Sequence, residues 1–169
     1  ATLLPKFTAH CQEKKYECNA PIEAIYDYSV LEYSFALWQW GTPVSTIPGN
    51  DADDEAIYKH FMAISEPSYF AKGGSNESFF VQAARELGYY GYDIRPFKQY
   101  LSIKSSKGYL KDLMLPDDAK HIKFDKTLSK KITKFLKKND PKMVFIYGEI
   151  DPWSAAAPFW LDTSKKENM

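Results

Sequence analysis

The sequence predicts a mainly α-helical chain with one buried strand near its C-terminus. Three observations carry that reading. Apolar side chains recur every three or four positions through four segments between Ile22 and Lys138. Caps and helix breakers stand at the ends of those segments. One run without that period, Met143-Val144-Phe145-Ile146-Tyr147, is continuously apolar, as in a strand covered on both faces.

The N-terminal stretch holds the two cysteines, Cys11 and Cys18, within one short polar segment. Their closeness points to a small disulfide loop and an oxidising compartment, the alternative being two ordinary surface thiols. His10 beside Cys11 does not make a zinc site, because ligand number and spacing are wrong. Asn19-Ala20-Pro21 opens the first clear helix, whose apolar set Ile22, Ile25, Tyr26, Val30, Tyr33, Ala36, Leu37 and Trp40 runs to Gly41. Aromatics on more than one face of it predict packing on two sides.

Asn50-Asp51-Ala52-Asp53-Asp54-Glu55 starts a second helix, with carboxylates where the helix dipole favours them, and Pro67 closes it. The acidic run therefore reads as a charged first turn. Ser75 or Asn76 can cap a third helix from about Glu77 to Leu87, with Gly88 as its stop. Tyr89 to Pro116 is aromatic, irregular and dotted with Gly and Pro, and reads as loops and turns. Leu128 to Lys138 forms a fourth helix with Leu128, Ile132, Phe135 and Leu136 on one stripe and solvated lysines around them. After the strand and Gly148, a loop through Asp151 leads into a last short helix from Ala155 to about Leu161. The strand lacks the neighbours a sheet needs, so the chain reads as a piece of something larger. The division expected is 1–140 as a helical region and 141–169 as part of a sheet-bearing core.

Composition narrows the function. Lys+Arg and Asp+Glu both number 22, so the net charge is zero and no basic surplus exists for phosphate-dominated nucleic-acid binding. Apolar residues at 44% and charged residues at 26% fit a folded chain, while 16% aromatics favour an aromatic core or a lined cleft over disorder. No stretch approaches the roughly 20 apolar residues of a membrane span. Ala1 to Phe7 shows no signal peptide, and the missing initiator Met points to a natural start elsewhere.

In open α/β sheets, functional side chains gather just beyond the carboxyl ends of strands, where Asp151 would lie, stiffened by Pro152. Such an aspartate can orient the histidine of a Ser-His-Asp triad, or it can simply close an Asx turn. The segment Tyr147-Gly148-Glu149-Ile150-Asp151-Pro152-Trp153-Ser154 resembles the Asp-Pro-Trp segment of secreted serine exopeptidases related to prolyl carboxypeptidase and lysosomal dipeptidyl peptidase. The likeness to their bacterial tripeptidyl aminopeptidase relatives is closer still. Phe79-Phe80-Val81-Gln82-Ala83-Ala84-Arg85-Glu86-Leu87-Gly88-Tyr89-Tyr90 resembles that group's Gln- and Glu-bearing cap helix over the catalytic cleft. The resemblance covers roughly residues 75 to 160.

It implies the helical cap of an α/β-hydrolase-type protein plus one core strand, and an enzyme that releases di- or tripeptides from the N-terminus of oligopeptides. Asp151 would be the triad acid. Gln82 and Glu86, one turn apart, would face the cleft, with the Glu86 carboxylate holding the substrate's α-ammonium or merely joining a helix-end network. Trp153 would line the specificity pocket or serve as a core anchor. The resemblance implies no metal or organic cofactor and a secreted or periplasmic location.

Two triad members have no counterpart in the sequence. No G-x-S-x-G elbow occurs, and His10, His60 and His121 all precede Asp151. The expectation is therefore a serine before Ala1 and a histidine after Met169, with this chain inactive alone. Glu149 and Asp151 stand too close for a glycosidase pair. Two other classes stay open: an esterase-like α/β hydrolase, for which Glu86 would be dispensable, and a stand-alone helical binding module, in which Asp151 would bond to its own backbone.

Overall fold

A computed structural model describes residues 2–169. Among these residues five α-helices, α1 (Leu4–Lys14), α2 (Ile22–Gln39), α3 (Asp54–Ile64), α4 (Glu77–Gln82) and α5 (Thr127–Lys138), are joined by loops with short 3-10 and π turns. The spine is α2. Proline at 21 sets its extended entry, and apolar side chains around most of its circumference let it pack on α1, α3 and the turn Pro67–Phe70. The expected helix over 22–40 and its multi-sided packing are both present. Asn19 makes no cap on α2; its side-chain amide donates to the carbonyls of Leu113 and Leu115, 3.1 and 3.5 Å away.

The sequence pattern does not predict helix α1, because only Phe7 and Cys11 mark its buried face. They lie one turn apart, with Phe7 fully buried against Tyr26 and Phe61. Lys15, in the left-handed region at φ 56°, ends α1 and turns the chain so that Cys18 pairs with Ala71 in an isolated antiparallel bridge. Cys11, buried, and Cys18, half-buried, are free thiols here, where the sequence predicts a bridge. Burial pushes the Cys11 thiol up to about 11 and raises that of Cys18 as well.

Helix α3 begins as the acidic turn predicts, with Asp53 Oδ1 accepting the Ala56 N–H at 2.8 Å. The helix after Asn76 runs as α4 and then widens into a π turn over Ala83–Leu87, closed by the Gly88 N–H on the Ala83 carbonyl at 2.9 Å. Gly88 takes φ 83°, which only glycine adopts freely. The α5 side of this turn is tied by Asp125 N–H to Arg85 carbonyl, 2.6 Å.

The irregular stretch after Tyr89 is pinned to α2 by two buried carboxylates. Asp27 Oδ2 accepts the Ser102 N–H, the Ser102 hydroxyl and the Ile103 N–H at 2.6, 2.6 and 3.0 Å. Glu32 Oε2 accepts the hydroxyls of Tyr90 and Tyr92, each at 2.6 Å.

The expected buried strand is not formed. Among the described residues there is no strand, and Met143–Tyr147 runs as an extended, mostly exposed segment, with Val144 82% and Ile146 87% accessible. The physical reason is the one its isolation predicts: among the described residues no neighbour offers a ladder, and a single backbone bond to another segment joins Met143 N–H to the Asn168 carbonyl at 3.1 Å. The last helix is also shorter and earlier than expected, a 3-10 turn over Pro152–Ala156.

Candidate active site

Asp151 sits on the turn that leads into Pro152–Ala156. Its Oδ1 accepts the Trp153 N–H at 2.9 Å, and the Ser154 hydroxyl donates to the Gly148 carbonyl at 2.8 Å, so the Asp-Pro-Trp loop is closed at both ends. Oδ2 receives no hydrogen bond among the described residues. The turn therefore has the Asx geometry and still presents one free carboxylate oxygen.

Trp153 fixes where this loop lies. Its ring meets those of Tyr89 and Tyr90 at 5.3 Å each and that of Phe79 at 6.5 Å, all edge-to-face. The two sequence stretches separated by some sixty residues are thus in direct contact. Trp153 is both an anchor and a wall: one cavity of about 680 Å³ and a second of about 430 Å³ share it.

The larger cavity brings together Asp151, Trp153, Glu32, Glu66, Tyr69 and Phe79. Its back wall is a tyrosine network. The Tyr69 and Tyr89 hydroxyls hydrogen-bond to each other, Tyr69 approaches Tyr90 at 3.4 Å, and Tyr90 donates onward to Glu32. Burial raises Tyr69, Tyr89 and Tyr90 above the ordinary phenol value, so they remain protonated donors. Burial likewise raises the Glu32 carboxyl, against the opposing pull of the Tyr90 and Tyr92 hydrogen bonds. At Glu66 burial also pushes upward, but hydrogen bonds from Ser68, His10 and Tyr16 win and hold it below the ordinary value. His10 Nε2 lies 3.0 Å from Glu66.

Gln82 and Glu86 are not part of this cavity. Gln82 is exposed; the Ser129 hydroxyl of α5 reaches the Glu86 backbone carbonyl at 3.4 Å, and Arg85 stands 3.9 Å from the Glu86 carboxylate. The α-helix expected to stack them on one cleft-facing side ends at Gln82. Sequence patterning alone does not single out Glu32, although a signal exists: with Glu23 and Asp27 it is one of three charged side chains in a mostly apolar or aromatic helix. None of the histidines bonds Asp151. His60 Nε2 pairs with the Tyr33 hydroxyl at 2.9 Å, as a boundary histidine would.

Comparison with known families places the chain among the serine peptidases. Residues 1–168 match the model of the PS-10 peptidase S37 family, and the chain belongs to that family. No curated protein and no solved structure matches it. No helix among the described residues is long and apolar enough to cross a membrane.

Proposed function

We propose that the chain is the helical cap and the acid-bearing segment of a serine exopeptidase that releases di- or tripeptides from the N-terminus of oligopeptides. The observation that carries this reading is the seating of Trp153 on Tyr89 and Tyr90, which joins the two motif-bearing stretches at one cavity and sets Asp151 on its wall. Asp151 is the triad acid. Its Oδ1 is held by the Trp153 N–H, and its free Oδ2 accepts the N–H of a histidine supplied, with the nucleophilic serine, by chain outside these residues. The serine attacks the scissile carbonyl, the histidine takes its proton, and Asp151 keeps that imidazole in the required tautomer and stabilises its charged form. Secretion or a periplasmic location accompanies this reading.

The test is fluorophosphonate labelling of the native gene product, followed by hydrolysis of Ala-Ala-Pro-p-nitroanilide. The labelled serine is expected, and Asp151→Asn is expected to lower kcat by roughly four orders of magnitude with the fold intact. An unlabelled native product, or Asp151→Asn turnover equal to wild type, overturns the assignment. The first outcome would favour a binding module; the second would leave Asp151 as the turn-closing residue that its bond to Trp153 N–H supports.

A further inference from the structure

The wall of the larger cavity carries three carboxylates, Glu32, Glu66 and Asp151, and no lysine, arginine or histidine. Only Glu66 has both oxygens engaged; half-buried Asp151 keeps Oδ2 free. Glu66 Oε2 accepts the Ser68 N–H at 2.9 Å and its Oε1 is held by His10, while Asp151 Oδ1 is taken by its own turn. Glu32 differs. It is only 7% exposed, both tyrosine hydroxyls meet on Oε2, and among the described residues neither a donor nor a cation reaches Oε1.

A carboxylate buried without a cationic partner is costly, and the cost is relieved when a positive group enters beside it. The surroundings suit one kind of cation. Rings of Tyr69, Phe79, Tyr89 and Trp153 line the same space, and aromatic faces attract organic ammonium groups. Among the described residues no three acidic, histidine or cysteine side chains come together closely enough to hold a metal ion. The cavity, at about 680 Å³, is of the size that takes a short peptide end.

We propose that this cavity is a subsite for an alkylammonium group and that Glu32 is its anchoring carboxylate. The inference deepens the exopeptidase reading and rests on it for the identity of the guest, which is then the free N-terminus of the peptide. A lysine side chain carries the same chemistry. Glu32, from the middle of α2, takes the place that Glu86 would have held had its helix faced the cleft. Tyr90 and Tyr92 act on it as positioning residues, fixing the carboxylate by one oxygen and leaving the other for the ligand.

Calorimetric titration of this chain separates the possibilities, using Ala-Ala-Pro amide, its N-acetyl form, and N-acetyl-Ala-Ala-Lys amide. The free-amine peptide is expected to bind roughly tenfold or more tightly than its acetylated form, and Glu32→Gln is expected to abolish that preference. Tighter binding of the lysine peptide than of the free-amine peptide supports the ammonium subsite and assigns it to a side chain. If Glu32→Gln fails to fold by circular dichroism, wild type still decides the matter. Affinity for the free-amine peptide should fall as pH rises through the α-amino pKa, about 8, while the acetylated peptide stays level. Equal affinity for all three peptides, no binding, or a preference that survives Glu32→Gln overturns the inference. Because binding and not turnover is read, an inactive native product with the preference intact sinks only the peptidase assignment, and an active one without the preference sinks only this subsite.

Discussion

Leu113-Met114-Leu115 and Val144-Phe145-Ile146 are equally short and equally apolar, yet they meet opposite fates. The first lies in the irregular aromatic stretch, where patterning promises only loops, and all three side chains are buried, Leu115 completely. The second has the sharper strand pattern and leaves Val144 and Ile146 in solvent. The difference is what satisfies the backbone. Asn19 donates its amide to the carbonyls of Leu113 and Leu115, so that segment enters the core with both of those carbonyls paired. No equivalent partner meets the second, and an extended backbone cannot be buried without one. Apolar side chains supply the drive to bury a segment; hydrogen-bond partners decide whether it can be buried.

The contrast is broken most directly by truncating both runs. Leu115→Ala should cost about 3 kcal/mol in urea unfolding, through lost burial and a residual cavity, while Val144→Ser should change stability by less than about 0.5 kcal/mol. Equal losses would mean that the 143–147 run is buried in solution. Asn19→Ala sharpens the same point with a smaller effect, about 1 kcal/mol, by leaving two core carbonyls without their donor; an unchanged urea midpoint would remove the backbone argument given above.

The smallest effect concerns the two buried carboxylates of α2. Asp27 is satisfied by backbone and hydroxyl donors, whereas Glu32 is held only by phenols. Burial raises the folded-state value of Glu32 above its ordinary 4.5, so its contribution to stability is complete below that pH and is lost as pH rises through the higher folded value. Wild type should therefore lose thermal stability relative to Glu32→Gln as pH increases from about 4.5 toward neutrality. A melting-temperature difference that moves the other way would show the tyrosine hydrogen bonds outweighing burial.

Much of the architecture was legible in the sequence. Helices α2, α3 and α5 follow from apolar spacing, charged first turns and breakers, all local properties of the chain. Helix α1 was not, since two buried side chains make too weak a stripe. The same division runs through the site. Asp151, Pro152 and Trp153 announce themselves as a stiffened turn because an Asx turn needs only neighbours in sequence. That Trp153 rests on Tyr89 and Tyr90, that Glu86 lies off the cavity wall, and that Glu32 lines the same cavity as Asp151 are matters of distance between segments far apart in the chain. Local sequence determined which elements form and where a turn presents its carboxylate. Only the packing of α2 against the aromatic stretch and the C-terminal turn decided which carboxylates share a cavity, because burial and hydrogen-bond satisfaction are set by what arrives from elsewhere in the fold.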